Sequence, residues 1–380
     1  MQDAFAAALV SWSSSGIPDN PGAWITTTAR RKIIDETRKR RLRREKDLTP
    51  RGGFEAPLPE FPAEELPDDQ LRLIFTCCHP ALPPDAQIAL TLREVCGLTT
   101  EQIARAFLTT APTIAKRIVR AKAKIRDARI PYEVPSPADL PDRLDNVLKV
   151  VYLVFTEGYA ATSGGALTRH DLSSEAIRLG RMLLEIMPEA EVRGLLALML
   201  LHESRRMART SPAGDLILLE EQDRSLWRRE LIEEGVFQVK KALASRQAGS
   251  YALQAAIAAV HAEAPGAPAT DWAQIVGLYD VLLRVASTPV VELNRAIAVA
   301  MLHTPQAGLN LIDAILKRGD LQDYYLAHSA RADLLRRIGN VVEARAAYER
   351  AISLTQLEPV RRFLLRQLDE LPAGPPHRLP

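Results

Sequence analysis

The sequence predicts an all-α protein, and three observations predict it. Only 5% of the 380 residues are aromatic while Ala and Leu abound, a composition that favours helices over sheets. Apolar residues recur with the 3.6-residue rhythm of an amphipathic helix through most of the chain. Two proline-rich stretches cut that rhythm into three helical segments.

The first segment, residues 1–46, opens with Phe5, Leu9 and Trp12 at helical spacing. A turn follows over 16–22, rich in Gly and Pro. A second helix runs from about Ala23 to Lys46, with Ile25, Ala29, Ile33 and Ile34 on one side. Its remainder is cationic: residues 30–51 hold eleven bases and four acids. Residues 47–67 carry five prolines, and residues 55–69 hold six acids and no base. This reads as an extended acidic linker.

The second segment, residues 68–130, carries the sharpest local signal. Gly97 stops a helix that ends at Val95 and Cys96. Thr99 fits an N-cap with Gln102 as its capping-box partner. A short helix over 101–107 follows, then a turn at 108–111, then Pro112 in the first turn of a second helix. On that helix Ile114, Ile118, Ala121 and Ile125 share one side and should pack inward. Thr113, Lys116, Arg117, Arg120 and Lys124 share the other and should face outward. A short helix, a tight turn and a second helix with a cationic stripe describe a helix-turn-helix without a wing. Arg and Lys on such a stripe can grip phosphates, and Arg can read guanine by two parallel hydrogen bonds. The competing reading is a solvated basic side of an ordinary hairpin.

Residues 131–141 form a second proline-rich linker, and 142–372 are helical nearly throughout. Residues 145–155, 174–186, 191–208, 251–262 and 290–302 have the helical rhythm, and Trp227 and Trp272 read as packing anchors. Residues 327–354 match a tetratricopeptide repeat, with Ala332, Gly339, Ala344, Tyr348 and Ala351 at its small, turn and knob positions. Residues 294–314 are a weaker copy, so a stack of helical hairpins is expected. Residues 373–380 read as a disordered tail.

The net charge of +2 hides an asymmetry. Residues 1–130 hold 21 Lys and Arg against 16 Asp and Glu, and the remainder 28 against 31. A polyanionic partner belongs at the front. Three cysteines, Cys77, Cys78 and Cys96, make no disulfide framework and suit a reducing cytoplasm. Cys77-Cys78-His79 has no second half of a tetrahedral set, so packing is the expected role and no metal or cofactor is expected. No apolar run reaches the roughly 20 residues that span a bilayer, so no membrane partner is expected. Nor does the N-terminus read as a signal peptide.

These residues resemble a known family. Residues 20–45, NPGAWITTTARRKIIDETRKRRLRRE, are similar to the promoter-melting helix of sigma-70-type factors of the extracytoplasmic-function class. The stretch LPDDQLRLIFTCCHPALPPDAQIALTLREVCGLTTEQIARAFLTTAPTIAKRIVRAKAKIR is similar to the fourth region of that class. The strings FTEGY (155–159), GLLALMLLHESRR (194–206), EEQDRSLW (220–227), TDW (270–272) and LNRAIAVA (293–300) resemble the subgroup with a long tetratricopeptide-like extension of the DUF6596 type. The resemblance implies core RNA polymerase and promoter DNA as partners. It implies that Thr113, Lys116, Arg117, Arg120 and Lys124 meet the minus-thirty-five element. It puts Trp24, Arg30, Arg31, Asp35, Arg38 and Arg41 where the family engages and melts the minus-ten element. For Arg38 to Arg44 non-specific phosphate attraction is the alternative. The acidic linker is either a mimic of a nucleic-acid backbone or a plain tether. Family members begin the second region with further helices before the stretch matching QDAFAAAL (2–9), and Met1 falls inside that helix. The expectation is a second region truncated at its N-terminus, short of most of its polymerase-docking surface, either from a start codon assigned too late, the favoured reading, or in a truncated relative that binds DNA poorly or not at all through this region.

Glu157, Tyr159, Arg178, His202, Glu203, Arg205, Arg206, Asp223, Arg224, Asp271 and Asn294 lie in or near the C-terminal motif strings. Glu157, Tyr159, Arg178, His202, Arg206, Asp271 and Asn294 are the candidate lining of a pocket for an unknown ligand or protein. The alternative is a buried salt-bridge network that fixes helix register. No Ser/His/Asp order, glycine-rich phosphate loop or metal motif stands out, so the chain does not read as an enzyme.

Overall fold

The computed structural model describes residues 68–130, 134–160, 168–245 and 247–372. The expectations for residues 1–46, 47–67 and 373–380, including Trp24, Arg30, Arg31, Asp35, Arg38 and Arg41, lie outside the described residues. Among the described residues the protein is all-α, with one isolated bridge between Thr210 and Leu216 and no strand.

Four helices come first: α1 (Asp69–Cys77), α2 (Pro84–Glu94), α3 (Thr100–Ala106) and α4 (Ala111–Asp127). The Asp68 carboxylate starts α1 by accepting from the Leu71 N–H at 2.8 Å. Pro84 starts α2, where its missing N–H costs nothing. Leu71, Ile74, Phe75, Ile88, Leu92, Leu98, Ile103 and Ile114 close their shared core.

That core does not stop at residue 130. Helix α5 (Leu140–Tyr159) packs on α1, α2 and α3 and brings Leu144, Val147, Leu148 and Val151 into the same cluster. Polar contacts lock the seam. Buried Arg143 donates to the Phe75 carbonyl at 2.9 Å, and Asn146 donates to Gln87 at 2.9 Å. A short 3-10 turn at Pro137–Asp139 and the start of α5 occupy the end of the stretch read from sequence as a linker.

Helix α6 (His170–Ile186) pairs with α5, and α7 (Ala190–Ser204) runs through the middle. Nearly every residue of α7 is buried, as a helix hydrophobic all round must be. It packs on α5, on α6, on α8 (Arg229–Ala244) and on α9 (Ser250–Glu263). The Glu191 carboxylate of α7 caps α9 by accepting from the N–H groups of Gly249, Tyr251 and Ala252 at 2.9, 2.9 and 3.1 Å. The rhythm over 191–208 suggested one helix. The α-helix ends at Ser204, because the Arg205 backbone leaves helical geometry (φ −98°, ψ 8°) and a separate 3-10 turn covers Arg206–Ala208.

The remaining helices pack in sequence, each on the next: α10 (Trp272–Val285), α11 (Pro289–Leu302), α12 (Pro305–Lys317), α13 (Tyr325–Ile338), α14 (Val341–Leu354) and α15 (Glu358–Asp369). Ala332, Ala344, Tyr348 and Ala351 are all buried between α13 and α14. Gly308 is a close approach: a Cβ there would lie 2.5 Å from the Ala300 Cβ and 2.6 Å from the Ala296 carbonyl. Trp227 is buried, while Trp272 is half-buried beside Ile275 and Leu282. No described helix is long and apolar enough to cross a membrane.

Candidate nucleic-acid interface

The α3–α4 hairpin is built as its sequence demands. Thr99 Oγ1 accepts from the Gln102 N–H at 3.2 Å, and Gln102 Oε1 accepts from the Thr99 N–H at 2.8 Å, closing a capping box on α3. Gly97, at φ +70°, makes the turn that delivers Thr99 to the cap. Leu108 takes a left-handed conformation (φ 49°) in the turn and stands exposed, an unusual state for a branched side chain. The Thr109 N–H returns to the Ala104 carbonyl at 2.8 Å, which folds α4 back on α3.

Helix α4 has two different sides. Ile114, Ile118 and Ala121 are buried and Ile125 is half-buried. Opposite them Thr113, Lys116, Arg120 and Lys124 are exposed. Lys116, Arg120 and Lys124 form no ion pair with the described residues, so their charges face solvent unopposed. Arg117 differs. Its side chain is only 27% exposed, with Nη1 3.4 Å from the Asp85 carboxylate and the guanidinium 5.3 Å from the centre of the Phe107 ring. Part of its charge is therefore spent on holding α4 against α2 and α3. Lys122, on another side of α4, pairs with Glu94 at 2.8 Å.

The cysteines are packing residues of this unit. Cys78 is buried with its Sγ 4.0 Å from the Thr91 hydroxyl, and burial pushes the Cys78 and Cys96 thiols up to about 12. No group of His, Cys, Asp or Glu among the described residues is placed to hold a metal.

The candidate C-terminal residues fall into separate places. Glu157 is buried and accepts from Gln102 Nε2 at 2.9 Å, at the seam with α3. Arg178 is exposed and pairs with Glu175 at 2.6 Å and Asp68 at 2.8 Å. Arg206 pairs with buried Glu203 at 2.8 Å, and His170 lies 3.2 Å from the same carboxylate. Asp271 caps α10 by accepting from the Gln274 N–H at 2.9 Å, Asn294 is exposed, and Asp223 caps a 3-10 turn. Of the seven, Tyr159 and His202 meet, with ring centres 5.0 Å apart. The single pocket drawn from sequence is thus dispersed, because periodicity cannot tell which polar residues cap helices and which line a space. Arg209 and His261 were missed. Arg209 is buried over the Tyr159 ring, 3.6 Å from its centre, and donates to the Tyr159 carbonyl. His261 lines one cleft with His202.

Comparison with known proteins fits this layout. Residues 72–125 match the family described as sigma-70, region 4, and residues 143–243 match a family of unknown function (DUF6596). An uncharacterized protein of Rhizobium meliloti is 42% identical across 98% of this chain and 89% of its own length. No solved structure matches.

Proposed function

Because this chain belongs to the family of the Rhizobium meliloti protein, with a sigma-70 region 4 joined to a DUF6596 domain, we propose that it is a sigma factor of the extracytoplasmic-function class that directs core RNA polymerase to specific promoters. The observation that carries the reading is the exposed face of α4, where Thr113, Lys116, Arg120 and Lys124 stand free of carboxylates. The major groove of B-DNA, about 12 Å wide, admits one α-helix. Lys116 and Lys124 grip phosphates there, Arg120 reads a guanine edge, and Arg117 supports the helix while reaching the same groove. Residues 68–130 thus read the minus-thirty-five element. Residues 1–46 melt the minus-ten element through Trp24, Arg30, Arg31, Asp35, Arg38 and Arg41. Residues 142–372, with tetratricopeptide-like hairpins, regulate the pair, and the protein acts in the cytoplasm.

The test is run-off transcription by core polymerase supplemented with the protein expressed from its complete reading frame. Promoter-specific product is expected, and Arg120→Ala should lower it. Absence of any specific initiation removes the reading. A second reading, a sensing module with a vestigial DNA-binding front, is favoured by the core that the helix-turn-helix shares with α5. It expects duplex binding without initiation.

A further inference from the structure

Three arginines lie together in the C-terminal domain, none of them in a direct ion pair with a described residue. Arg205 reaches only the His202 ring, at 3.4 Å, and the Tyr159 ring, at 5.7 Å. Arg209 lies over the same ring, 3.6 Å from its centre. Arg224 donates to the carbonyls of His261 and Ala264 at 2.5 and 3.1 Å and stacks on Trp227 at 4.2 Å. None of the three forms a direct ion pair with a described residue; the nearby Glu203, paired with Arg206, favours the charge of Arg209 from a longer range. Arg209 is buried while Arg205 and Arg224 are half-buried, and taking guanidinium charge out of water is costly.

Beside them opens a small cleft lined by Leu201, His202, Arg205, Leu219, Trp227 and His261. Trp227 is only 8% exposed, and its Nε1–H has no partner. The Tyr159 hydroxyl, buried next to His202, has none either. Burial, with Arg205 and Arg224 close by, lowers His261 to about 4, and His202 is driven down by burial and by Arg205. Both imidazoles are therefore neutral and add no positive charge of their own. The walls are mostly apolar, with Arg205 the one charged residue among them, and no carboxylate lines the cleft.

We propose that this cleft, between the end of α7, the Trp227 loop and α9, is a binding site for a small oxyanion, the carboxylate or phosphate head of a ligand. The Trp227 indole N–H and the Arg205 guanidinium donate to it, and Arg209 and Arg224 supply the surrounding field. The inference is independent of DNA binding, since none of these residues lies on α4.

The experiment uses the full chain. Intrinsic tryptophan fluorescence and thermal melting are followed while sodium phosphate, or in a parallel series sodium acetate, replaces sodium chloride at constant ionic strength. Saturable change with at least one of the two oxyanions is expected, and which one responds assigns the head group. Arg205→Gln should weaken that response about ten-fold, the loss of one charge-assisted hydrogen bond. Trp227→Phe, which keeps the ring and removes the donor, should weaken it less and is read by melting. Oxyanions also stabilise proteins by exclusion, but that effect is linear in concentration and would be unchanged in the variants. Absence of a saturable response to both salts overturns the proposal. So does a response of equal strength in both variants, provided their helical circular dichroism matches the parent.

Discussion

Arg117 and Arg120 are three residues apart on α4 yet live in different surroundings. Arg120 is exposed and unpaired, so replacing it with Ala should leave the melting temperature nearly unchanged. It should weaken binding to a cognate minus-thirty-five duplex by about 1–3 kcal/mol, measured by fluorescence anisotropy at fixed salt. Arg117→Ala should also lower the melting temperature, because it removes the contacts to Asp85 and Phe107, which are together worth roughly 0.5–1 kcal/mol at this exposure. If the two variants melt alike, Arg117 is not a bracket for α4. The histidines set a pH dependence. His261 titrates near 6.5 when unfolded and at about 4 when folded. The unfolded chain therefore binds more protons, and this contribution is full above pH 6.5 and lost as pH falls through 4. The melting temperature should fall across that window, and His261→Gln should flatten the fall.

At the scale of elements, local rules decided most of what could be read from sequence. The capping box at Thr99 and Gln102, the start at Pro112 and the two sides of α4 follow from spacing alone, and the structure has them where spacing put them. Thr99→Ala should cost about 0.5–2 kcal/mol in chemical denaturation, the usual cost of losing an N-cap. What spacing could not reveal are contacts between residues far apart in the chain. Asp85 takes part of Arg117, and Arg209 crosses from residue 209 to the ring of residue 159. Neither partner is marked by its neighbours. Likewise the helix over 191–208 looked continuous because Met207 and Ala208 kept the rhythm, while the chain had already turned at Arg205. Gly308 gives no local signal of its role either. Gly308→Val should destabilise the α11–α12 pair by roughly 1–3 kcal/mol through overpacking, seen as a lower melting temperature.

At the scale of the molecule, the DNA-reading unit and the C-terminal domain share one hydrophobic interior, from Leu71 to Leu231. Proline-rich composition over 131–141 reads as a linker between two helical segments. The apolar side of α5, read correctly as helical, gave no hint that α1, α2 and α3 were what it covered. Calorimetry on the full chain should therefore give one transition for residues 68–130 together with α5 to α7. Phe75→Ala, which empties a site at the seam and should cost about 3–5 kcal/mol, should shift that transition as a whole. Two resolved transitions, only one of them moved by Phe75→Ala, would contradict a shared interior.

The side chain of Gln102 has two duties at once. Its amide oxygen finishes the first turn of α3, and its amide nitrogen holds Glu157 at the far end of α5. Three residues on, Arg105 reaches Gln356 near the other end of the protein. The helix that precedes α4 is thus bolted at two points to a body several times its size. Such a mounting leaves α4 little freedom to swivel on its own. Promoter DNA would have to come to it along a path set by the large domain, and a partner that gripped the large domain would be aiming α4 without touching it.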